Sequence, residues 1–278
     1  DINYINKYWG DCEDKSAPTL EKIHNKYYLR FSFTETVILS DTPITEQIIC
    51  AVDLGINTDA VCSIMKADGT ILARKFIDFT SDKDRMIHAM NRTRHKQSKY
   101  GPKSTRSLWA YVKRLNEDHA KKISAAIVEF ASQHSVDAIV MEPLDFNGCK
   151  KRGSKAQRLS MWNHGIIREK VEQKAHLLGI RIATICAWKT SALAFDGSGS
   201  VTRDDNNHAL AKFTTGKQYN CDLSASYNIG ARYFIRELLK SLPATEESRV
   251  KAKVPDVGRR TSCTLSTLRA LVKELSAA

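Results

Sequence analysis

The sequence predicts an α/β fold: a mixed central sheet flanked by helices, with an irregular insert before the last long helix. Three observations carry this. Short apolar runs of strand length stand at "IICAVDLG", "VDAIVMEPL" and "IRIATICA", the pattern of strands buried on both faces. Two further strand-like runs, "AVCSIMK" and "ILARKFI", are joined by "ADGT", a tight turn with Asp-Gly at its centre. Between the apolar strands the period changes to apolar residues at three- and four-residue steps, the mark of amphipathic helices.

In chain order, "KYYLRFSFTETVIL" (Lys26–Leu39) alternates enough for one or two strands, and residues 1–45 form the end of an N-terminal β-rich region. The chain starts without an initiator Met and reads as a portion of something longer. The main domain, residues 46–240, opens with the three strands of Gln47–Phe79. Helices follow over Asp84–Tyr100 and Leu108–His134, interrupted at "YGPKS". A strand stopped by Pro143, a helix over Ser160–Gly179 with Gly179 as its C-cap, and another strand come next. Residues 188–218 are the insert, and "YNCDLSASYNIGARYFIRELL" (Tyr219–Leu239) is the closing helix. The tail, 241–278, is polar until a short helix at "LSTLRALVKEL".

Lys and Arg number 43 against 31 Asp and Glu, a formal charge of +12, which favours a polyanion partner. The excess is concentrated in two places. Arg92, Arg94, Lys96, Lys99, Lys103 and Arg106 lie in one basic segment, and Lys150, Lys151, Arg152, Lys155 and Arg158 in a second. Bases in clusters suit phosphate contact. The seven cysteines include no CxxC pair, so neither a disulfide framework nor a zinc knuckle is indicated. No run of about 18 apolar residues appears. A cytoplasmic, nucleic-acid-associated protein without a membrane partner is expected.

Three acids stand out. Asp53 interrupts an otherwise apolar strand, Glu142 ends another, and Asp222 heads a helix whose first turns are small: Ser224, Ala225, Ser226, Gly230. Asp222 could be a plain helix cap. A charge inside a central strand, however, is costly unless paired or bound to a metal. The first and fourth strands of such a sheet can lie side by side, which makes Asp53 and Glu142 neighbours, and the closing helix can bring in Asp222. Its small residues would leave room for an ion and a phosphate. Clustered carboxylates repel one another, and Mg²⁺ (or Mn²⁺) relieves this with all-oxygen coordination. Two such ions about 3.5–4 Å apart serve phosphodiester hydrolysis.

The same stretches resemble the split RuvC-like nuclease of the TnpB family, the IS200/IS605 transposon-encoded OrfB proteins related to Cas12 effectors. "AVDLGIN" (Ala51–Asn57) resembles the first motif, "IVMEPLDF" (Ile139–Phe146) the second, and "CDLSASYNIGAR" (Cys221–Arg232) the third. The third motif follows a D-x-N-A-A-x-N-I pattern with Ser224 for Asn and Ser226 for Ala. The resemblance implies an RNase H-like (RuvC) fold for 46–240 and an Mg²⁺-dependent DNA endonuclease with Asp53, Glu142 and Asp222 as catalytic metal ligands. In a full-length protein it implies a guide RNA, bound largely by an N-terminal part of which residues 1–45 hold only the last wedge-like strands. Family members carry zinc-ribbon cysteines where this chain has the 188–218 insert. Cys221 alone stands near that place, so no zinc is expected, and the Gly/Ser turn with Asp204 and Asp205 must hold the loop. Arg203 in the insert is placed for phosphate contact.

Two other readings stay open. One is a DNA- or RNA-binding relative with vestigial acids. The other is an actin-like ATPase or kinase, with "VDLGINTDAVCSIMKADGTIL" and "FDGSGSVT" as phosphate loops. Trp109, Tyr111 and Trp162 suit either base stacking or the core. His88, His95, His119 and His164 show no ligand spacing and read as surface or phosphate-contacting groups.

Overall fold

The computed structural model describes residues 2–10, 14–34, 36–143, 162–204, 207, 209–259 and 261–277. Two compact units divide the chain, Asp1–Ile38 and Leu39–Ala278. In the first, Thr19–Ile23 and Lys26–Arg30 form an antiparallel hairpin. Its two-residue turn, His24 and Asn25, has φ of 46° and 63°, the sense of twist that hairpins favour.

The second unit is built on five strands: β1 (Ile48–Leu54), β2 (Ala60–Lys66), β3 (Ile71–Ile77), β4 (Ala138–Met141) and β5 (Arg181–Thr184). Their order is β3-β2-β1-β4-β5. The first three form an antiparallel meander, and β4 and β5 run parallel to β1. The mixed sheet expected from the sequence is present, with the first and fourth strands side by side.

Helices α1 (Thr80–Tyr100), α2 (Arg106–Gln133) and α3 (His164–His176) follow. The later helices are α4 (Cys221–Ser241), α5 (Ala244–Lys253) and α6 (Leu265–Ser276). Side-chain alternation sorts the sheet residues into two cores. Cys50, Val52, Leu54, Ile139 and Met141 pack with Ile123 and Ile127 of α2 and Val171 of α3. Ile49, Ala51, Ala138 and Val140 pack with Ile229, Phe234 and Leu238 of α4 and Leu268 of α6.

Helix α4 comes close enough to the sheet that a Cβ on Gly230 would lie 2.9 Å from Met65 Cε and 3.2 Å from Ala51 Cβ. Ala225 and Ser226 are fully buried, and the Ser226 hydroxyl is hydrogen-bonded to Ser63 on β2. This corrects one expectation. The small residues of α4 let the helix lie on β1 and β2 and leave no space there for an ion and a phosphate.

The insert is more ordered than its sequence suggests. It contains a small antiparallel sheet of β6 (Thr202–Arg203), β7 (Leu210–Lys212) and β8 (Gln218–Asn220). Strands of two or three residues are too short to show an alternation. Its core is aromatic: Phe195 lies 5.6 Å from Phe213 and 4.9 Å from Tyr219 by ring centroids, and Lys217 Nζ sits 4.6 Å above Phe195. Asp204 does help to hold the loop, its carboxylate accepting from Asn207 N at 2.8 Å; Asp205 lies outside the described residues. The tail carries α5 as well as the expected last helix. Only Val250 of α5 is buried, so its charge-dense sequence shows no apolar stripe.

At the far end of the sheet, Asp137 ties the segment before β1 to β4. Its carboxylate accepts from Ser40 Oγ at 2.6 Å, Thr42 Oγ1 at 2.5 Å and Ile48 N at 2.8 Å. Burial acts to raise its pKa. The three hydrogen bonds and the Arg181 charge outweigh that and hold it below the ordinary carboxylate value. A depressed folded-state pKa gives stability that is present above the unfolded value near 3.9 and lost as pH falls through the folded one. Asp137→Asn is therefore expected to melt below wild type at pH 7, with the gap closing below about pH 4. A pH series of melting curves checks this; a gap independent of pH would sink it.

Candidate active site

Residues of β1 alternate between the two cores, so Asp53 follows Ile49 and Ala51 onto the α4 face. Glu142 follows Ala138 and Val140 onto the same face. Val52 pairs with Met141, which puts Asp53 and Glu142 next along two adjacent parallel strands. Asp222 is the second residue of α4, the helix that covers this face. The cap of that helix is Asn220, whose side chain accepts from Leu223 N at 2.9 Å. Asp222 is thus released from capping.

The electrostatics register this convergence. Burial, then the charges of Glu142 and Asp222, hold Asp53 well above the ordinary carboxylate range, while Arg203 pulls it back. Glu142 is also raised by burial, against a hydrogen bond from Thr190 and the charge of Arg232. Burial raises Asp222 too, offset by Arg203 and by a hydrogen bond with the Thr58 side chain. Arg203 is exposed on β6, yet its charge reaches Asp53 and Asp222. The structure brings this sequence-predicted base to the acids.

Among the described residues, no three or more His, Cys, Asp or Glu side chains stand close enough to share a cation as they are. The donor set nevertheless fits a hard divalent ion: three carboxylates, and a mutual repulsion on Asp53 that a cation would relieve. Asp53, Glu142 and Asp222 would hold it. A zinc ribbon does not fit, because the insert closes over Ala194, Ala211, Phe213 and Cys221 with no thiolate set.

The other predicted bases gather elsewhere. Arg92, Arg94, Lys96, Lys99, Lys103 and Arg106 are all exposed at the end of the α1–α2 hairpin. A helical rise of 1.5 Å per residue puts that tip about 30 Å from the hairpin base. The base is anchored on Asp59, just before β2. Phe79 N donates to Asp59 Oδ2 at 2.8 Å, and Lys83 Nζ lies 3.1 Å from Asp59 Oδ1. Lys150, Lys151, Arg152, Lys155 and Arg158 lie outside the described residues.

His119, expected at the surface, is buried and pairs through Nε2 with Asp59 at 3.1 Å. A buried carboxylate needs partners, and α2 supplies this one. Trp109 donates to Gln97 at 2.8 Å and so ties α2 to α1. Ser224, which stands where the family pattern has Asn, is buried with its hydroxyl unpartnered. "FDGSGSVT" is committed elsewhere: Phe195 O accepts from Ser266 N at 3.0 Å, and a Cβ on Gly197 would meet Ser266 at 3.0 Å. That leaves the second phosphate loop of the kinase reading packed on the head of α6.

Sequence reasoning assigned no role to Thr190, nor to Asn228 and Arg232 of the third-motif stretch, all buried. Asn228 and Arg232 lie one turn apart on α4, and both bind the chain between Cys186 and Leu193. Two buried polar side chains four residues apart in an apolar helix were the available signal.

No protein-family model matches the sequence, and no curated protein does. Solved structures do. A Cas12f1 protein in complex with sgRNA and target DNA matches with a TM-score of 0.52 at 18% identity, covering 76% of this chain and 54% of that one. The chain therefore spans about half the length of that protein. A CRISPR-Cas12f ternary complex (TM-score 0.44, 18% identity, 82% and 47% covered) and Thermus thermophilus RuvC (0.32, 10%, 82% and 96%) also match, too loosely to carry an argument. Together with the β3-β2-β1-β4-β5 sheet, the first similarity shows the fold: a mixed sheet flanked by helices, RNase H-like.

Proposed function

We propose that this chain is the RuvC-like nuclease portion of a TnpB/OrfB-type protein, a divalent-cation-dependent endonuclease acting on DNA and guided by RNA in its full-length form. What supports the reading is that Asp53 and Glu142 lie next to each other along adjacent parallel strands, and that the charges of Glu142 and Asp222, the latter at the head of α4, both reach Asp53. A bound Mg²⁺ or Mn²⁺ would supply Lewis-acid polarisation of the scissile phosphate and an activated water. The three carboxylates hold that charge. Arg203, exposed beside them, meets the phosphate backbone, and the basic α1–α2 tip positions a strand or duplex without reading its sequence.

The test is cleavage of labelled single-stranded DNA in Mg²⁺ or Mn²⁺ by wild type, Asp53→Ala and Asp222→Ala. Metal-dependent cutting lost in both variants supports the reading. Salt-sensitive binding without cutting would instead favour a binding-only relative.

The hairpin makes a separate prediction. Replacing Arg92, Arg94, Lys96 and Lys99 with Gln removes four candidate phosphate partners. For each cationic partner removed, the slope of log K against log salt should shrink by about 0.7–0.9, so roughly 3 in all. Binding should weaken alike on unrelated sequences. An unchanged slope would place the nucleic acid on another surface.

A further inference from the structure

Glu142 follows the last residue of β4 and depends on its surroundings for orientation. One partner is supplied from the insert: Thr190 Oγ1 donates to Glu142 Oε1 at 2.6 Å. Thr190 is 3% exposed and lies in a single 3₁₀ turn, Thr190–Ala192, which has little rigidity of its own. Its position comes from α4. Asn228 Nδ2 donates to Thr190 O at 3.0 Å and to Leu193 O at 2.9 Å. Arg232 Nη1 donates to Cys186 O and Trp188 O, both at 2.8 Å. Asn228 is held in turn by Leu265 N, which donates to its Oδ1 at 3.3 Å.

The helix that carries Asp222 at its head therefore also grips, two turns later, the loop whose hydroxyl points Glu142. We propose that Thr190 is a positioning residue: it holds one oxygen of Glu142 so that the other is free to complete, with Asp53 and Asp222, a divalent-cation site once the ion draws the three together. The chain from Asn228 and Arg232 through the Cys186–Leu193 loop to Thr190 couples the acid on α4 to the acid on β4. The inference rests on the reading of the three acids as cation ligands. A hydroxyl that donates to a ligating carboxylate leaves the second oxygen free for the cation and limits rotation about the side chain. Partners of this kind commonly govern affinity by 10–100-fold.

The test compares Thr190→Val, which keeps the shape and loses the hydroxyl, with Thr190→Ser, which keeps the hydroxyl. Mn²⁺ binding to the full chain without DNA is measured by electron paramagnetic resonance. Mn²⁺-dependent cleavage of labelled single-stranded DNA and the metal-free melting temperature are measured in parallel. Thr190→Val should weaken Mn²⁺ binding about 10–100-fold and move the Mn²⁺ midpoint of cleavage by the same factor. Its melting temperature should stay within a few degrees of wild type, and Thr190→Ser should restore both metal readouts.

Wild-type Mn²⁺ affinity in Thr190→Val overturns the proposal and leaves the nuclease reading standing. A large fall in melting temperature with no rescue by Ser overturns it in favour of a packing role. A wild-type chain that neither binds Mn²⁺ nor cuts overturns both.

Discussion

Asp53→Asn is expected to abolish cleavage and, in the same protein, to raise the metal-free melting temperature. Asp53 sits among buried strand residues and faces two further carboxylates, and both conditions favour its protonated form. A carboxyl with a raised folded-state pKa contributes stability that is fully present below its unfolded value near 3.9 and lost as pH rises through the folded one. Above the unfolded value, folding must either bury the charge or take up a proton, and both cost stability; Asn fills the same space without that cost. The gain should be on the order of 1–2 kcal/mol, a few degrees in melting temperature. The loss of cleavage should be on the order of 10³-fold or more. Mg²⁺ should stabilise wild type by mass action and leave the variant unmoved. A variant that melts below wild type without metal would show that Asp53 is not under the strain its neighbours imply.

Arg232→Met should be the most destabilising single change on α4. Arg232 is 5% exposed, and its guanidinium joins three pieces of chain. Nε donates to Cys263 O at 3.1 Å, Nη1 to Cys186 O and Trp188 O at 2.8 Å, and Nη2 to Thr261 O at 2.9 Å. Methionine keeps most of the stem and leaves four carbonyls without this donor, and Glu142 loses a balancing charge. Breaking a buried charged network in this way costs about 3–5 kcal/mol, roughly 10 °C for a chain of this size. Arg232→Lys should recover little of it, because a single ammonium cannot span carbonyls that a planar fork reaches in several directions. Thermal melts of the two variants decide the matter. A lysine variant as stable as wild type would mean that charge, and not the fork, holds the joint.

Much of the sheet was legible. Strands β2 and β3 run from Ala60 to Lys66 and Ile71 to Ile77, as their patterning indicates, because seven residues of apolar character bounded by an Asp-Gly turn leave few alternatives. The acids stood out for a related reason: charge is conspicuous in a run that otherwise excludes it. Helix α5 and strands β6 to β8 did not, since one buried valine or three residues of strand carry no period.

The sequence by itself determined which carboxylates are anomalous and the order of the elements that bear them. That they share a face was decided by the tertiary structure, through the Val52–Met141 register and the parity that carries Asp53 and Glu142 toward α4. The fold also decided that Asn220 caps α4, that Gly230 serves close packing, and that Thr190 turns to a glutamate 48 positions away. Composition and local period describe what a residue costs to bury. Which distant group meets that cost depends on pairing between strands and on the seat of a helix, and neither is written in any one stretch of chain.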